Sequence, residues 1–281
     1  MKKFGLIGHP IAHSQSPALF KAGYGGKYAY DLIEGEVFEA SYQNFLDSYD
    51  GINVTAPFKE KAFAKADILS EECKLAGAAN ILVKTPDGKI KAHNSDYLGI
   101  RKWVDDEAVP RVRQTASEPK VLIAGCGGAG KAAAFASASL GLKTVLMNRD
   151  MAKARILAEK SPELFTARPL SDFAECFSEC GIIIYTIPTS IPELEQMHRH
   201  TAGNDKIGNF ETRNTNGSPK IIMEANYRNP AFGQQSMHNL KKTWPGITYA
   251  TGKEWLLYQA LTGYEILTGE KPDLPRMHTC L

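Results

Sequence analysis

Residues 121–136 read VLIAGCGGAGKAAAFA, and this stretch decides the fold class of the second half of the chain. A four-residue apolar run predicts a strand, a glycine-rich loop follows, and an alanine-rich segment predicts a helix. Glycines at this G-x-G-x-x-G spacing permit a tight turn and let backbone N–H groups approach a pyrophosphate. An isolated fingerprint is often an ordinary glycine-rich turn, but the flanking strand and helix favour a Rossmann-type dinucleotide site. Its candidate residues are Gly125, Gly127, Gly128, Ala129 and Gly130.

The type of dinucleotide follows from the residues after the next predicted strand, 144–147. Asn148 and Arg149 stand there, about twenty residues beyond the fingerprint, where an NAD-specific unit places an acidic side chain for the ribose 2′-hydroxyl. An arginine guanidinium pairs with a 2′-phosphate, so the sequence favours NADP. Lys153 follows one helical turn later and adds charge, although a solvated surface position is the alternative for both basic residues. Asp150 leaves weak NAD use open.

Composition narrows the class of protein. The chain has 281 residues, so we expect two domains, and its net charge of +2 gives no reason to expect a nucleic-acid partner. The first apolar run is broken too early for a signal peptide, and no run approaches the roughly 20 residues that cross a bilayer. The five cysteines form no C-x-x-C pair. We therefore expect a cytoplasmic protein with reduced thiols, no membrane partner and no metal site.

The first hundred residues show a pattern of strands and helices. Ser16 is a plausible N-cap for a helix that has Pro17 in its first turn, and residues 59–73 predict another helix. Apolar runs bounded by turn residues predict strands at 3–7, 51–54, 79–83 and 89–93. This alternation predicts an α/β unit with a mostly parallel sheet and one antiparallel addition.

The rest of the chain predicts a second α/β block. Strands are expected at 181–185 and 220–225, with a long surface loop over 196–218 between them. Residues 105–120 are polar and contain two prolines, which is typical of a linker, and 252–268 regain helical periodicity and are expected to return to the first domain. The predicted domains are 1–104 plus 252–281, and 105–251.

Four polar clusters in the first half occur in a recognisable order. They are His13-Ser14-Gln15-Ser16-Pro17, Asn53-Val54-Thr55-Ala56-Pro57-Phe58-Lys59, Gly77-Ala78-Ala79-Asn80 and Asn94-Ser95-Asp96-Tyr97-Leu98-Gly99. Together with the glycine-rich loop, the Asn148-Arg149 pair and Gln259, they resemble the shikimate dehydrogenase family across nearly the whole chain. The resemblance implies a discontinuous α/β substrate-binding domain and a doubly wound Rossmann-type NADP-binding domain, with the active site between them. It also implies reversible NADPH-dependent reduction of 3-dehydroshikimate to shikimate in chorismate and aromatic amino acid biosynthesis.

The resemblance also implies roles for single residues. Lys59 and Asp96 would be the catalytic pair, and the chemistry agrees, because reducing a ketone requires a group that supplies a proton to the oxygen. The hydride comes from the nicotinamide, so no metal is required. The substrate would be bound by Ser14, Ser16, Thr55, Asn80, Asn94, Tyr227 and Gln259. The cofactor set would gain Thr186 and Gly252 beside Asn148, Arg149 and Lys153.

Departures and alternatives qualify this expectation. The segment Met223–Pro230 differs from the usual late segment of the family and adds Arg228, and Tyr185–Pro188 stands where many relatives have Asn-Ala-Thr. Ser14 and Ser16 alone would be read as helix caps, Lys59 as a surface lysine and Asp96 as an N-cap. Rival functions are a quinate/shikimate dehydrogenase with relaxed cofactor use, a non-catalytic NADP-binding regulatory module, and a folate-type reductase. The oligomeric state is expected to be a monomer or homodimer.

Overall fold

A computed structural model describes residues 2–114, 118–201 and 219–281, with the side chains of 198–201 excepted. The described chain forms two compact units. The first contains Met1–Ile100 and Leu256–Leu281, and the second contains Arg101–Trp255. The division falls inside two helices, because α5 (Ser95–Trp103) and α12 (Gly252–Thr268) each contribute residues to both units.

A mixed sheet organises the first unit, with the strand order β2-β1-β3-β5-β6-β4. Its strands are β1 (Lys3–Gly8), β2 (Ala29–Glu34), β3 (Gly51–Val54), β4 (Ile68–Leu69), β5 (Ile81–Lys84) and β6 (Ile90–His93). Strand β5 runs antiparallel to both of its neighbours, whereas the other pairings are parallel. This confirms the predicted mostly parallel sheet with one antiparallel addition.

Helices pack on both faces of this sheet. Successive strand residues point to opposite faces, so each face has its own set of apolar side chains to bury. Besides α5 and α12, the helices are α1 (Ser16–Tyr24), α2 (Phe38–Ser48), α3 (Lys59–Lys65), α4 (Glu71–Ala76) and α13 (Leu274–His278). On one face Phe4 packs with Phe20 of α1 and Tyr264 of α12, and on the other Ile7 and Ile52 belong to a second core cluster. The predicted C-terminal helix over 252–268, and its return to the first unit, are confirmed.

The second unit contains a parallel sheet with the strand order β12-β11-β10-β7-β8-β9. Its strands are β7 (Val121–Ala124), β8 (Thr144–Met147), β9 (Phe165–Ala167), β10 (Ile182–Tyr185), β11 (Lys220–Glu224) and β12 (Ile247–Ala250). The order reverses between β7 and β10, which is the doubly wound arrangement. The predicted fold class is confirmed, and ligands of such sheets bind at the carboxyl ends of the strands beside this reversal.

The helices of the second unit follow the strands in alternation. They are α6 (Val109–Arg113), α7 (Gly128–Ser139), α8 (Met151–Ala158), α9 (Phe173–Glu179), α10 (Pro192–Thr201) and α11 (Gln234–Thr243), with a π-helical turn at Val104–Ala108 and a 3₁₀ turn at Leu170–Asp172. Aromatic and aliphatic side chains of α9, β10 and α11 form one buried cluster with β12. This core fixes the strand ends that carry the candidate cofactor residues.

Several predicted elements were wrong in type or extent. The linker expected over 105–120 continues α5 as helix as far as Arg113, because Val104, Ala108 and Val112 recur every four residues and are buried. The helix expected over 59–73 divides into α3 and α4 with the short strand β4 between them. The loop expected over 196–218 is helical as far as Thr201, and its residues 202–218 lie outside the described residues.

None of the described helices is both long enough and apolar enough to cross a membrane. The cysteines are all free, and Cys73, Cys176 and Cys180 are buried.

Candidate functional site

Lys59 and Asp96, the expected catalytic pair, are in direct contact. Lys59 Nζ donates a hydrogen bond to Asp96 Oδ2 at 2.6 Å. Lys59 is the first residue of α3 and Asp96 lies in the first turn of α5, so each side chain leaves the start of a helix. Their side chains are 32% and 19% exposed, which leaves the pair partly accessible to a ligand. An ammonium group held by a carboxylate can supply a proton to a developing alkoxide.

The two asparagines of the motifs are buried beside this pair. Asn80 Oδ1 accepts from the backbone N–H of Ser95 at 2.7 Å, and Asn94 Oδ1 accepts from the backbone N–H of Tyr97 at 3.0 Å. Both side chains therefore accept hydrogen bonds from backbone N–H groups at the start of α5. The first N–H groups of a helix have no acceptor within the helix itself. The N-cap role considered for Asp96 belongs to Asn94, whereas the Asp96 carboxylate accepts the hydrogen bond from Lys59. Asn94 also donates to Ala78 O at 2.8 Å.

The serine pair lies at the start of α1. Ser14 Oγ donates to Ser16 Oγ at 3.2 Å and accepts from Ser16 N at 3.3 Å, while Tyr264 donates to Ser16 O at 3.0 Å. The predicted N-cap role of Ser16 was wrong, because Gln15 occupies that position and forms no side-chain cap. The two hydroxyls are half-buried and adjacent, an arrangement that can donate two hydrogen bonds to a carboxylate.

Gln259 enters the same unit through a close crossing of two helices. A Cβ on Gly99 of α5 would stand 2.6 Å from Gln259 N, and one on Gly263 of α12 would stand 3.3 Å from the Ser95 side chain. The missing side chains therefore let α12 approach α5 closely and place Gln259 next to the helix that bears Asp96. Thr55 follows β3 and is half-buried, with its backbone N–H bonded to Ile7 O at 2.9 Å.

A half-buried contact between His93 and Glu72 lies directly before the Asn94 motif. His93 Nδ1 and Glu72 Oε1 are 2.9 Å apart, and Ser70 Oγ donates to the same carboxylate oxygen at 2.5 Å. Burial opposes ionisation of Glu72, but the bonds from His93 and Ser70 outweigh it and hold the pKa of Glu72 below its usual value. His93 therefore has a partner within the protein, whereas His9 and His13 are both exposed.

The glycine-rich loop connects β7 to α7 at the carboxyl edge of the second sheet. Gly125 has a φ of 104°, and a Cβ there would stand 2.4 Å from Thr186 Oγ1. A Cβ on Gly130 would lie 1.8 Å from Gly125 O, so these two glycines are required by the fold. A Cβ on Gly127 or Gly128 would meet no described atom within 4 Å beyond the adjoining backbone, which leaves space for a pyrophosphate against the N-terminus of α7. This loop therefore fits the expected dinucleotide.

The segment after β8 contains several internal hydrogen bonds and two exposed basic side chains. Asn148 Oδ1 accepts from Cys126 N at 3.1 Å, and its Nδ2 donates to Asp150 O at 3.0 Å, so Asn148 joins this segment to the glycine-rich loop. Asp150 Oδ1 accepts from Ala152 N at 3.1 Å, which makes Asp150 the N-cap of α8. Arg149 and Lys153 are exposed and available to a 2′-phosphate.

The remaining cofactor candidates lie on neighbouring strand ends of the same sheet. Thr186, after β10, donates to Ala124 O and Gly125 O at 3.1 Å. Gly252 lies against the loop after β11, since a Cβ there would stand 2.1 Å from Ala225 O. Tyr227 belongs to that loop and to the second unit, and its side chain is 39% exposed.

Three polar side chains were not singled out from the sequence. Tyr30 donates to Asn53 Oδ1 at 2.8 Å, and Asn53 shares a strand face with Thr55, a spacing of two residues that was visible in the sequence. Glu224 ends β11 and is fully buried. Nothing in the sequence distinguishes Glu224 from a surface glutamate, because its partners are backbone groups and a distant tyrosine.

Metal ligands do not cluster in the described part of the chain, where no group of three or more His, Cys, Asp or Glu side chains is placed to hold an ion. Cys126 lies in the glycine-rich loop, and burial raises the pKa of its thiol to about 11.

Comparisons with known proteins give relatives over both units. The curated relatives include the pentafunctional AROM polypeptide of Eremothecium gossypii, 29% identical over 281 residues, which cover 96% of this chain and 17% of that protein. The chain therefore spans about a sixth, or 17%, of the length of the curated relatives it matches.

Solved structures share the fold over the full chain. The shikimate dehydrogenase of Mycobacterium tuberculosis is 25% identical with a TM-score of 0.74, covering 100% of this chain and 98% of that one. The shikimate 5-dehydrogenase of Thermus thermophilus, solved in complex with NADP(H) and shikimate, is 23% identical with a TM-score of 0.76, covering 100% and 98%.

Family profiles match successive parts of the sequence. One, described as "Shikimate dehydrogenase substrate binding domain", matches residues 6–82, and another, described as "Shikimate / quinate 5-dehydrogenase", matches residues 107–207. Since the two profiles follow one another in the order of the motifs, the chain belongs to the shikimate dehydrogenase family.

Proposed function

We propose that this chain is a shikimate dehydrogenase, which catalyses the reversible NADPH-dependent reduction of 3-dehydroshikimate to shikimate in aromatic amino acid biosynthesis. The observation that carries the proposal is the 2.6 Å contact between Lys59 and Asp96, formed by two family motifs that are far apart in sequence. The solved relative with bound NADP(H) and shikimate supports both ligands.

Lys59 is the proton donor in the proposed reduction. Bound NADPH supplies a hydride to the carbonyl carbon. As negative charge develops on the carbonyl oxygen, the Lys59 ammonium donates a proton to it, and in the reverse direction the amine accepts the hydroxyl proton. Asp96 holds the ammonium in position and accepts from the substrate hydroxyl.

The substrate is held by polar side chains of the first unit and by Tyr227. Ser14 and Ser16 donate to the carboxylate, and the ring hydroxyls are bound by Thr55, Asn80, Asn94 and Gln259. Asn94 acts chiefly by fixing the start of α5, because its amide is already bonded to Ala78 and Tyr97. The proposed substrate-binding domain is 1–104 with 252–281 and the proposed NADP-binding domain is 105–251, bounds that differ by four residues from those of the two compact units.

NADP is the proposed cofactor, bound by the glycine-rich loop, Asn148, Arg149, Lys153, Thr186 and Gly252. The open space at Gly127 and Gly128 supports the pyrophosphate position, and the exposed Arg149 supports the 2′-phosphate. Asp150 Oδ1 caps α8, but a carboxylate accepts further hydrogen bonds, so weak use of NAD stays part of the proposal.

A cytoplasmic location is supported by the free cysteines, which are typical of a reducing compartment. We further expect a monomer or a homodimer. Light scattering behind size exclusion measures the mass, and a species larger than two chains would contradict that expectation.

The activity is tested by following the nicotinamide absorbance band with shikimate or quinate and with NADP or NAD. We expect the highest kcat/KM for shikimate with NADP. The second candidate, a quinate/shikimate dehydrogenase, is favoured by the structural match to the Corynebacterium glutamicum quinate dehydrogenase in complex with NAD, with a TM-score of 0.77 at 21% identity. Comparable kcat/KM for quinate would select it. NADP binding without turnover of either substrate would select a regulatory module.

A further inference from the structure

Glu224 is a fully buried carboxylate at the carboxyl end of β11. Its Oε1 accepts from Ala231 N at 2.5 Å, and its Oε2 accepts from Phe232 N at 3.1 Å and from the Tyr249 hydroxyl at 2.8 Å. Burying a carboxylate costs several kcal/mol unless donors satisfy it. Ala231 and Phe232 belong to the segment that follows β11, and Tyr249 belongs to β12. The carboxylate therefore connects these two segments.

The hydrogen bonds from Ala231 and Phe232 to Glu224 close a loop over residues 225–230. Both ends of the loop are held, because Glu224 precedes it and the two donors follow it. Asn226 organises the loop from within, because its Nδ2 donates to Pro188 O at 2.8 Å and to Asn229 O at 2.9 Å. Its Oδ1 accepts from the backbone N–H groups of Arg228 and Asn229 at 3.1 and 3.3 Å. Tyr227 and Arg228 are therefore presented to solvent on a loop of defined shape.

This loop lies among the proposed cofactor residues of the same sheet. Asn226 reaches the segment after β10 that begins with Thr186, and Ala225 O lies against Gly252 after β12. In a doubly wound sheet a dinucleotide extends across the reversal of strand order, with one half over each side. The 2′-phosphate residue Arg149 follows β8, on the opposite side of β7 from β10 and β11. The loop after β11 therefore belongs with the nicotinamide half.

We propose that Glu224 is a positioning residue for the nicotinamide half of the cofactor site, acting through the loop Ala225–Pro230 and not by touching the cofactor. The inference rests on the proposed function, because it assumes that the second unit binds NADP. Replacing the carboxylate by an amide puts an NH₂ group opposite N–H or O–H donors, which removes at least one of the bonds that close the loop.

The experiment compares NADP with adenosine 2′,5′-bisphosphate, which contains only the adenine half of the cofactor, by titration calorimetry on the full chain. For Glu224→Gln we expect the Kd of NADP to rise about tenfold and that of the half-ligand to stay within about twofold. Asn226→Ala loosens the same loop without altering a buried charge and should give the same split, which keeps the test available if Glu224→Gln folds poorly. Tyr249→Phe keeps both loop bonds and should change neither affinity appreciably.

A purely structural role of Glu224 would weaken both ligands alike in Glu224→Gln, and that result would overturn the inference. Unchanged NADP affinity in both Glu224→Gln and Asn226→Ala would overturn it as well. If the wild-type protein bound neither ligand, the proposed cofactor itself would be wrong. Steady-state kinetics add a second readout, in which a misplaced nicotinamide lowers kcat by roughly 10- to 100-fold.

Discussion

Lys59 and Asp96 form an ion pair that contributes little to the stability of the fold. Their side chains are 32% and 19% exposed, and pairs that remain accessible to water are worth at most about 1 kcal/mol. Each lies at the start of a helix whose backbone is held by other groups, such as Asn94 at the start of α5. Substitutions of this pair therefore report on chemistry and not on folding.

Lys59→Ala should lower kcat by about 10²- to 10⁴-fold, the usual contribution of a general acid, because no ammonium then protonates the carbonyl oxygen. The Kd of NADP should be unchanged, since Lys59 belongs to the first unit. Steady-state kinetics and NADP titration measure the two effects. Lys65→Ala, an exposed lysine on the same helix, is the matched control and should behave as wild type. Equal losses of turnover and NADP affinity would contradict the assigned role.

Arg149→Ala should weaken NADP by about 10- to 100-fold and leave NAD nearly unchanged, because a charge-assisted bond to the 2′-phosphate is worth about 1.5–3 kcal/mol. Kd values for both cofactors check this. Arg155→Ala removes an exposed arginine within α8, six residues after Arg149, and controls for net charge. A similar loss for NADP in both variants would make the effect one of general electrostatics.

The sequence predicted these single residues only where a family motif marks them. Lys59, Asp96 and the serines were named in that way; Lys59 contacts Asp96 and Ser14 contacts Ser16, while the roles of all four stay predictions. The roles of Asn94 as a helix cap and of Glu224 as a loop closure were not predicted. Both depend on which backbone N–H groups the fold leaves without partners, and that is a property of three-dimensional structure.

The glycine-rich segment at the junction of β7 and α7 contains glycines of two physical kinds. Gly130 is required by packing, because Gly125 O occupies the position of its Cβ, whereas Gly127 has space for one and an ordinary φ of −76°. Gly130→Ala should therefore lower Tm by several degrees, while Gly127→Ala should keep Tm and weaken NADP by obstructing the pyrophosphate. Thermal unfolding and NADP titration separate the two. Loss of Tm in Gly127→Ala would show that its role is also structural.

The side chain of Lys220, the first residue of strand β11, caps the C-terminus of helix α9. Its Nζ donates to the carbonyl oxygens of Phe177, Ser178 and Cys180 at 2.7–2.9 Å, and these are the acceptors that the end of a helix leaves unsatisfied. The residue is 3% exposed, and burial lowers the pKa of Lys220 to about 8. The helix cap is therefore coupled to pH just above neutrality.

The free energy of unfolding of the second unit should rise with pH, because Lys220 loses its proton at a lower pH in the folded state than in the unfolded state. Above pH 8 the folded state releases the Lys220 proton while the unfolded state retains it up to about pH 10.4, so the unfolded state binds more protons and unfolding becomes less favourable. Between pH 7.5 and 9.5 the free energy of unfolding of the wild type should gain about 2 kcal/mol relative to Lys220→Met, which cannot titrate. Urea unfolding followed by tryptophan fluorescence reports on this unit, since Trp103, Trp244 and Trp255 all lie in it. A pH-independent difference would mean that Lys220 titrates normally.

Elements with strong local signals were predicted correctly. The strands β7 and β8, the helix after the fingerprint and α12 were found from apolar runs and glycine spacing. Strands β2, β9 and β12 were missed because each contains polar or small residues and acquires its strand conformation from pairing with a neighbour. The helix over 104–113 was mistaken for a linker because charges between its buried valines obscured a four-residue apolar spacing.

At the scale of the whole chain, the first unit is built from both ends of the sequence. Residues 256–281 supply Leu257, Tyr264, Leu267 and Met277 to the core that contains Phe4 and Phe20. The second unit, by contrast, is one continuous segment. The first unit therefore depends on a segment that follows the second unit in the chain, whereas the second contains its whole sheet without that segment.

A chain that ends at Trp255 should lose the fold of the first unit and keep that of the second. The four large side chains removed from the first core are worth about 1.5–3 kcal/mol each, which together matches the whole stability of a typical domain, about 5–15 kcal/mol. Limited proteolysis with mass spectrometry should degrade residues 1–100 and protect a fragment within 101–255, and NADP should still bind with shikimate turnover abolished. The single substitution Leu257→Ala, in the full chain, should lower the Tm of the first unit without removing it. Protection of residues 1–100 in the shortened chain would show that this core is complete without its C-terminal helices.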